Sequence, residues 1–134
     1  MPSFSDSIIE EFRANGGRVT RPYPDSTLVL VTLRGARSDR EMTLPIEYLA
    51  DGDRLVVFGT KSGAPDNPAW VYNLRANPEV TVEYGSERFA AVAEEITGVE
   101  RDRLWQQLVA AKPRFTEYTD KTDRVFPAFA LIRS

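Results

Sequence analysis

The chain has 134 residues, 42% of them hydrophobic, a formal net charge of −3, and neither Cys nor His. Those absences exclude disulfides, thiol nucleophiles, imidazole bases and metal sites built on Cys or His, so no metal site is expected. The acidic balance argues against a nucleic-acid partner, and no apolar run approaches the roughly 18 residues of a membrane-spanning helix.

The first fifteen residues carry acids and no apolar core flanked by basic residues, so they do not read as a secretory signal; a cytoplasmic protein is expected. The length fits one domain over residues 1–134. The absences point demanding chemistry towards a reactive group that arrives with a cofactor.

Ser5 to Asn15 reads as an amphipathic helix with Ile8, Ile9 and Phe12 on one face, stopped by Gly16-Gly17, so that 1–17 forms an N-terminal helical unit. Weak peripheral contact of this helix with a membrane is conceivable from Phe4, Ile8, Ile9 and Phe12, though Asp6, Glu10 and Glu11 oppose anionic lipid. Arg18 to Ser26, with Pro22 and Pro24, is an extended connector. Strands follow at Leu28–Leu33, Glu41–Leu49 and Arg54–Phe58, the last two joined at Asp51-Gly52.

Gly59 to Asn67 is a loop, after which Asn67 as N-cap and Pro68 open a helix carrying Trp70, Asn73 and Leu74. Val80–Tyr84 and Phe89–Ile96 flank a hairpin at Gly85-Ser86. Thr97 and Glu100 form a capping-box pattern for a helix to about Ala111, with Leu104, Leu108 and Ala111 on its packed side. Lys112–Arg124 is polar and aromatic, with room for a short helix, and Phe126–Ile132 is a closing strand. Six strands with mostly short antiparallel connections imply a mainly β (α+β) barrel with helices packed outside.

Several residues carry candidate chemistry. Arg34, Arg37 and Arg40 crowd one turn against a single neighbouring acid, Asp39, which suits phosphate or carboxylate but is also what a solvated turn looks like. Trp70 and Asn73, three apart, share a helix face. The acidic pairs Glu100/Asp102 and Asp120/Asp123 fit a helix N-terminal turn and a solvated surface better than paired-carboxylate catalysis.

Three blocks taken together resemble the deazaflavin-dependent nitroreductases, a branch of the flavin and deazaflavin oxidoreductases. They are Thr32-Leu33-Arg34-Gly35-Ala36-Arg37-Ser38 with Pro45; Thr60-Lys61-Ser62-Gly63-Ala64-Pro65 with Asn67-Pro68-Ala69-Trp70, Asn73-Leu74 and Ala76-Asn77-Pro78; and Tyr118 with Thr122-Asp123-Arg124. The middle block is the specific one, and the match runs from about Thr27 to the C-terminus. This chain departs from the family at Ala36, Asp39 and Met42 in the first block, and at Glu47 and Phe115, where a Tyr is common.

The resemblance implies a six-stranded antiparallel split β-barrel and a reductase that passes a hydride from reduced coenzyme F420, an 8-hydroxy-5-deazaflavin with a phosphate and an oligoglutamate tail, to an electron-poor quinone, enone or nitroaromatic. It places Ala36, Arg37, Ser38, Met42 and Pro45 of the first block on the cofactor. It adds Phe58, Gly59, Thr60 and Lys61, then Ala69, Trp70, Asn73 and Phe115. Lys61 would meet either the cofactor's phosphate or its ionised 8-hydroxyl. Tyr118 and Thr60 take part in the reaction, Tyr118 as an O–H donor lining the acceptor pocket. The alternatives are a split-barrel protein using flavin mononucleotide (FMN), a deazaflavin-binding protein without turnover, and a plain interaction module. Both monomer and homodimer fit this branch.

Overall fold

The computed structural model describes residues 3–23 and 26–134, so Pro24 of the connector lies outside the described residues. Helix α1 (Phe4–Ala14) leads into strands β1 (Leu28–Arg34), β2 (Glu41–Asp51) and β3 (Arg54–Phe58). Helix α2 (Ala69–Ala76), strands β4 (Glu79–Tyr84) and β5 (Glu87–Ile96), helices α3 (Gly98–Ala111) and α4 (Thr116–Lys121), and strand β6 (Ala128–Arg133) complete the chain. The strands close into one antiparallel barrel in the order β1-β2-β3-β6-β5-β4.

Alternation along the strands divides the apolar residues between two cores. Val29, Val31 and Leu33 of β1, Val57 of β3, Val82 of β4 and Phe129 and Leu131 of β6 fill the barrel. The opposite faces of β3 and β6 carry Val56, Phe58, Ala128 and Ala130, which pack beneath Leu104, Trp105 and Leu108 of α3 and beneath Phe115 and Phe126. Covered on both faces, β3 reads as a continuous apolar run. Ala111, expected on the packed side of α3, is exposed, and Trp105 with Arg101 takes that side instead.

Four details of the elements differ from the sequence reading, the first through a local cap and the others through contacts made far along the chain. Helix α1 starts before Ser5: Ser3 caps it, its Oγ accepting from the Asp6 N–H while Asp6 Oδ2 accepts from the Ser3 N–H. Thr97 makes no side-chain cap on α3, because the Glu100 carboxylate is drawn to Arg54 in the β2–β3 hairpin, 2.8 Å away. Pro68, not Asn67, sits at the N-cap of α2, and Asn67 is used elsewhere. Phe126 is fully buried against Trp105 ahead of Pro127, so β6 begins two residues later than expected.

Ile8 and Phe12 of α1 turn inward, 3% and 1% exposed, which leaves Phe4 as its one large exposed apolar residue. That spends on packing the face that membrane contact would need. Among the described residues no helix is long and apolar enough to cross a membrane.

Gly17 fixes where α1 meets the barrel. At φ +95°, a Cβ there would lie 2.6 Å from the Gly85 Cα in the β4–β5 turn. Gly17→Ala should cost about 2–4 kcal/mol of stability in urea unfolding. Gly52→Ala has a similar φ of +61° but open space around it, and should cost only about 1–2 kcal/mol. Equal losses would remove the contact as the reason.

Candidate active site

Two adjoining clefts lie along β2, the first reaching Phe58 at the end of β3. The first, about 170 Å³, is walled by Pro45, Phe58, Thr60, Lys61, Trp70 and Phe115. The second, about 310 Å³, brings Ile8 and Tyr23 against Ser62, Arg114 and Tyr118. Pro45, Glu47, Thr60 and Phe115 line both.

The Thr60 loop is shaped by a difficult backbone. Lys61, Ser62 and Gly63 follow one another at φ +47°, +54° and +82°. For the two residues with side chains this conformation costs roughly 1–2 kcal/mol each. Gly63 admits no Cβ either, since one would lie 2.9 Å from the Tyr118 carbonyl oxygen. What holds the loop is Arg124. Its guanidinium donates to the carbonyls of Gly59 (3.0 Å), Thr60 (2.9 Å) and Ala64 (3.0 Å), and to Asn67 Oδ1 at 2.5 Å. Gly59 itself lines neither cleft: a Cβ there would sit 2.6 Å from Val71 Cγ2, so this glycine lets α2 close on the end of β3.

Glu47 is a second organising point. Its carboxylate accepts from Lys112, from Arg114 at 2.7 Å and from Thr27 Oγ1 at 2.9 Å, and its side chain is 15% exposed. It thereby fastens the exit of α3 to β2. The Arg114 guanidinium lies 4.2 Å from the centre of the Tyr23 ring and 4.7 Å from that of Phe115. Arg114, Tyr23 and the loop-holding role of Arg124 were not singled out from sequence. Their partners lie far along the chain, and residue type gives no sign of that.

Tyr118 lies in the second cleft with its ring edge-on to Phe115, centroids 5.3 Å apart. Burial raises its phenol above the ordinary tyrosine value, helped by the neighbouring Tyr23 phenol. It is therefore a protonated donor at neutral pH. Tyr48, in the first cleft, is pushed up to about 12 by burial and by Tyr84. Trp70 serves two purposes: it walls the first cleft and packs edge-on to Phe129 of the barrel interior, centroids 6.0 Å apart.

No residue of the arginine turn lines either cleft. Asn73 does not line a cleft; its Oδ1 accepts the Ala36 N–H at 3.0 Å and ties α2 to the turn. Ser38 Oγ accepts the Arg40 N–H. Arg34 pairs with Asp39 at 3.5 Å, while among the described residues Arg37 and Arg40 are exposed and have no ion-pair partner. Met42 is not at the turn's surface: strand alternation sends it against the barrel interior. Ala69 is exposed in the first turn of α2, off both clefts.

A family model for F420H2-dependent quinone reductases matches residues 7–132. The chain belongs to that family. An F420H2-dependent quinone reductase of Mycobacterium tuberculosis is 32% identical over 126 residues, covering 91% of this chain and 85% of the relative. A solved F420-H2 dependent reductase is 34% identical, with a TM-score of 0.71, covering 78% of this chain and 92% of its own. A chain solved as a domain-swapped dimer is 30% identical with a TM-score of 0.72, covering 92% and 93%.

As an F420H2-dependent quinone reductase the chain is an oxidoreductase with coenzyme F420 as its cofactor, and the FMN alternative gives way. The residues present fit that group. Phe58, Trp70 and Phe115 offer an aromatic wall, Thr60 and Lys61 a polar edge, and the exposed charges of Arg37 and Arg40 suit an anionic tail. Because the Thr60 loop hangs on one planar fork, Arg124→Lys keeps the charge and loses most of the four contacts. It should lower stability by about 1–3 kcal/mol and weaken F420 binding, measured by urea unfolding and fluorescence titration. A variant as stable and as tight as the parent would strip Arg124 of this role.

Proposed function

We propose that the chain transfers a hydride from reduced coenzyme F420 to a quinone, with the deazaflavin ring against the first cleft and the acceptor in the second. The observation that carries this reading is the shared wall: Thr60, Pro45 and Phe115 face both clefts, while Tyr118 faces only the second. Bound and reduced, the cofactor supplies a hydride from a ring carbon. The chain does the rest.

Phe58, Trp70 and Phe115 keep water from the ring side, and Lys61 and Arg37 hold anionic oxygens of the cofactor. Thr60 sits where the two ligands meet and orients them. As the quinone takes up the hydride, negative charge grows on its oxygen, and the Tyr118 O–H stabilises that charge and passes on a proton. The domain-swapped relative supports a homodimer for this chain over the monomer.

Two experiments test the reading. Tyr118→Phe should cut quinone turnover by roughly ten- to several-hundred-fold while F420 affinity stays put. Because the phenol is raised, the parent's rate should not lose this donor until above about pH 10. Full activity of Tyr118→Phe on quinones, enones and nitroaromatics alike would make Tyr118 structural. Separately, Arg37→Ala should weaken F420 binding by about three- to tenfold at low salt, fading as salt screens an exposed contact. Unchanged affinity would return Arg37 to the solvated surface.

A further inference from the structure

Lys61 already has an anion. Its Nζ lies 3.0 Å from Asp66 Oδ2 on the same loop, with the two side chains 47% and 65% exposed. The pairing is held by more than attraction between two flexible side chains. Arg124 grips the Thr60 carbonyl before the pair, the Ala64 carbonyl between its members and the Asn67 side chain after it, so both residues sit on a loop held at three points. Lys61 and Ser62 are both left-handed, at φ +47° and +54°, and the lysine reaches an acid of its own loop. Asp66 is also kept ionised, its carboxyl lowered first by the Lys61 hydrogen bond and then by the Lys61 charge.

We propose that Asp66 is a built-in competitor for Lys61, occupying the position that an anionic oxygen of the cofactor must take. This rests on the reading that Lys61 meets the cofactor. Binding then becomes an exchange of one anion for another, so affinity reports the difference between two ion pairs. Two consequences follow from that subtraction. The cofactor binds more weakly than its contacts alone would allow, and the salt dependence of binding is flattened, because salt weakens the outgoing pair along with the incoming one.

The test is fluorescence titration of the purified protein with F420, and in parallel with its riboside lacking phosphate and glutamates. Parent, Asp66→Asn, Lys61→Ala and the double variant are compared. Asp66→Asn should bind F420 about three- to tenfold tighter at low salt, as expected for exposed charges in contact. Its affinity should fall more steeply with salt than the parent's. In the Lys61→Ala background Asp66→Asn should change nothing. Tightening confined to F420 places the phosphate or tail at Lys61, and equal tightening of the riboside places the ring's 8-hydroxyl there; both support the exchange. If Lys61→Ala weakens binding yet Asp66→Asn does not tighten it, the competitor role is overturned and the Lys61 contact stands. If Lys61→Ala leaves affinity unchanged, both fall. Tightening that persists without Lys61 makes Asp66 a general repulsive charge and overturns the exchange.

Discussion

The site depends on one guanidinium. Arg124 collects three backbone carbonyls and a side-chain oxygen from a loop that would otherwise have little reason to hold its shape. Left-handed conformation at two consecutive non-glycine residues is unfavourable locally and persists only where the surroundings insist on it. Here the insistence comes from 64 positions away in sequence, at Thr60. Arg124 follows α4, which carries Tyr118, so the residue that shapes the loop is also close in sequence to the phenol facing it.

The second support, the Glu47 cluster, works on the other side of the clefts. A carboxylate on the outer face of β2 would be costly to cover without partners, and Lys112, Arg114 and Thr27 supply them. The same bonds bring the α3 exit and the connector together over the strand. The clefts are therefore built between fixed walls: strand β2 beneath, α2 and its loop on one side, and the segment from α3 to α4 with α1 on the other.

Much of this was legible in the chain. β3 falls at Arg54–Phe58, as its apolar run after the Asp51-Gly52 turn indicates, and the barrel follows from six short strands with tight connections. Pro45, Phe58, Thr60, Lys61, Trp70, Phe115 and Tyr118, drawn from blocks far apart in sequence, do meet at the clefts. What could not be read were the long-range bonds of polar side chains. Asn67 and Glu100 have the right types for caps, and each was claimed by an arginine elsewhere, Arg124 and Arg54. Tyr23 looked like part of a spacer because nothing local shows that Arg114 stacks on it. Asn73 shares a helix face with Trp70 yet turns to a backbone amide, a choice made by the arrival of the arginine turn.

Strand β2 serves the barrel and the clefts together: Ile46 and Tyr48 belong to the interior core and also reach the first cleft, while Pro45 and Glu47 line both clefts. A slip of one residue in its pairing with β1 or β3 would exchange the two sets. It would drive a charged carboxylate into the barrel and turn out the residues that fill it. Misfolding and loss of function are thus the same event along this strand. A mispaired β2 therefore loses the barrel and the clefts together.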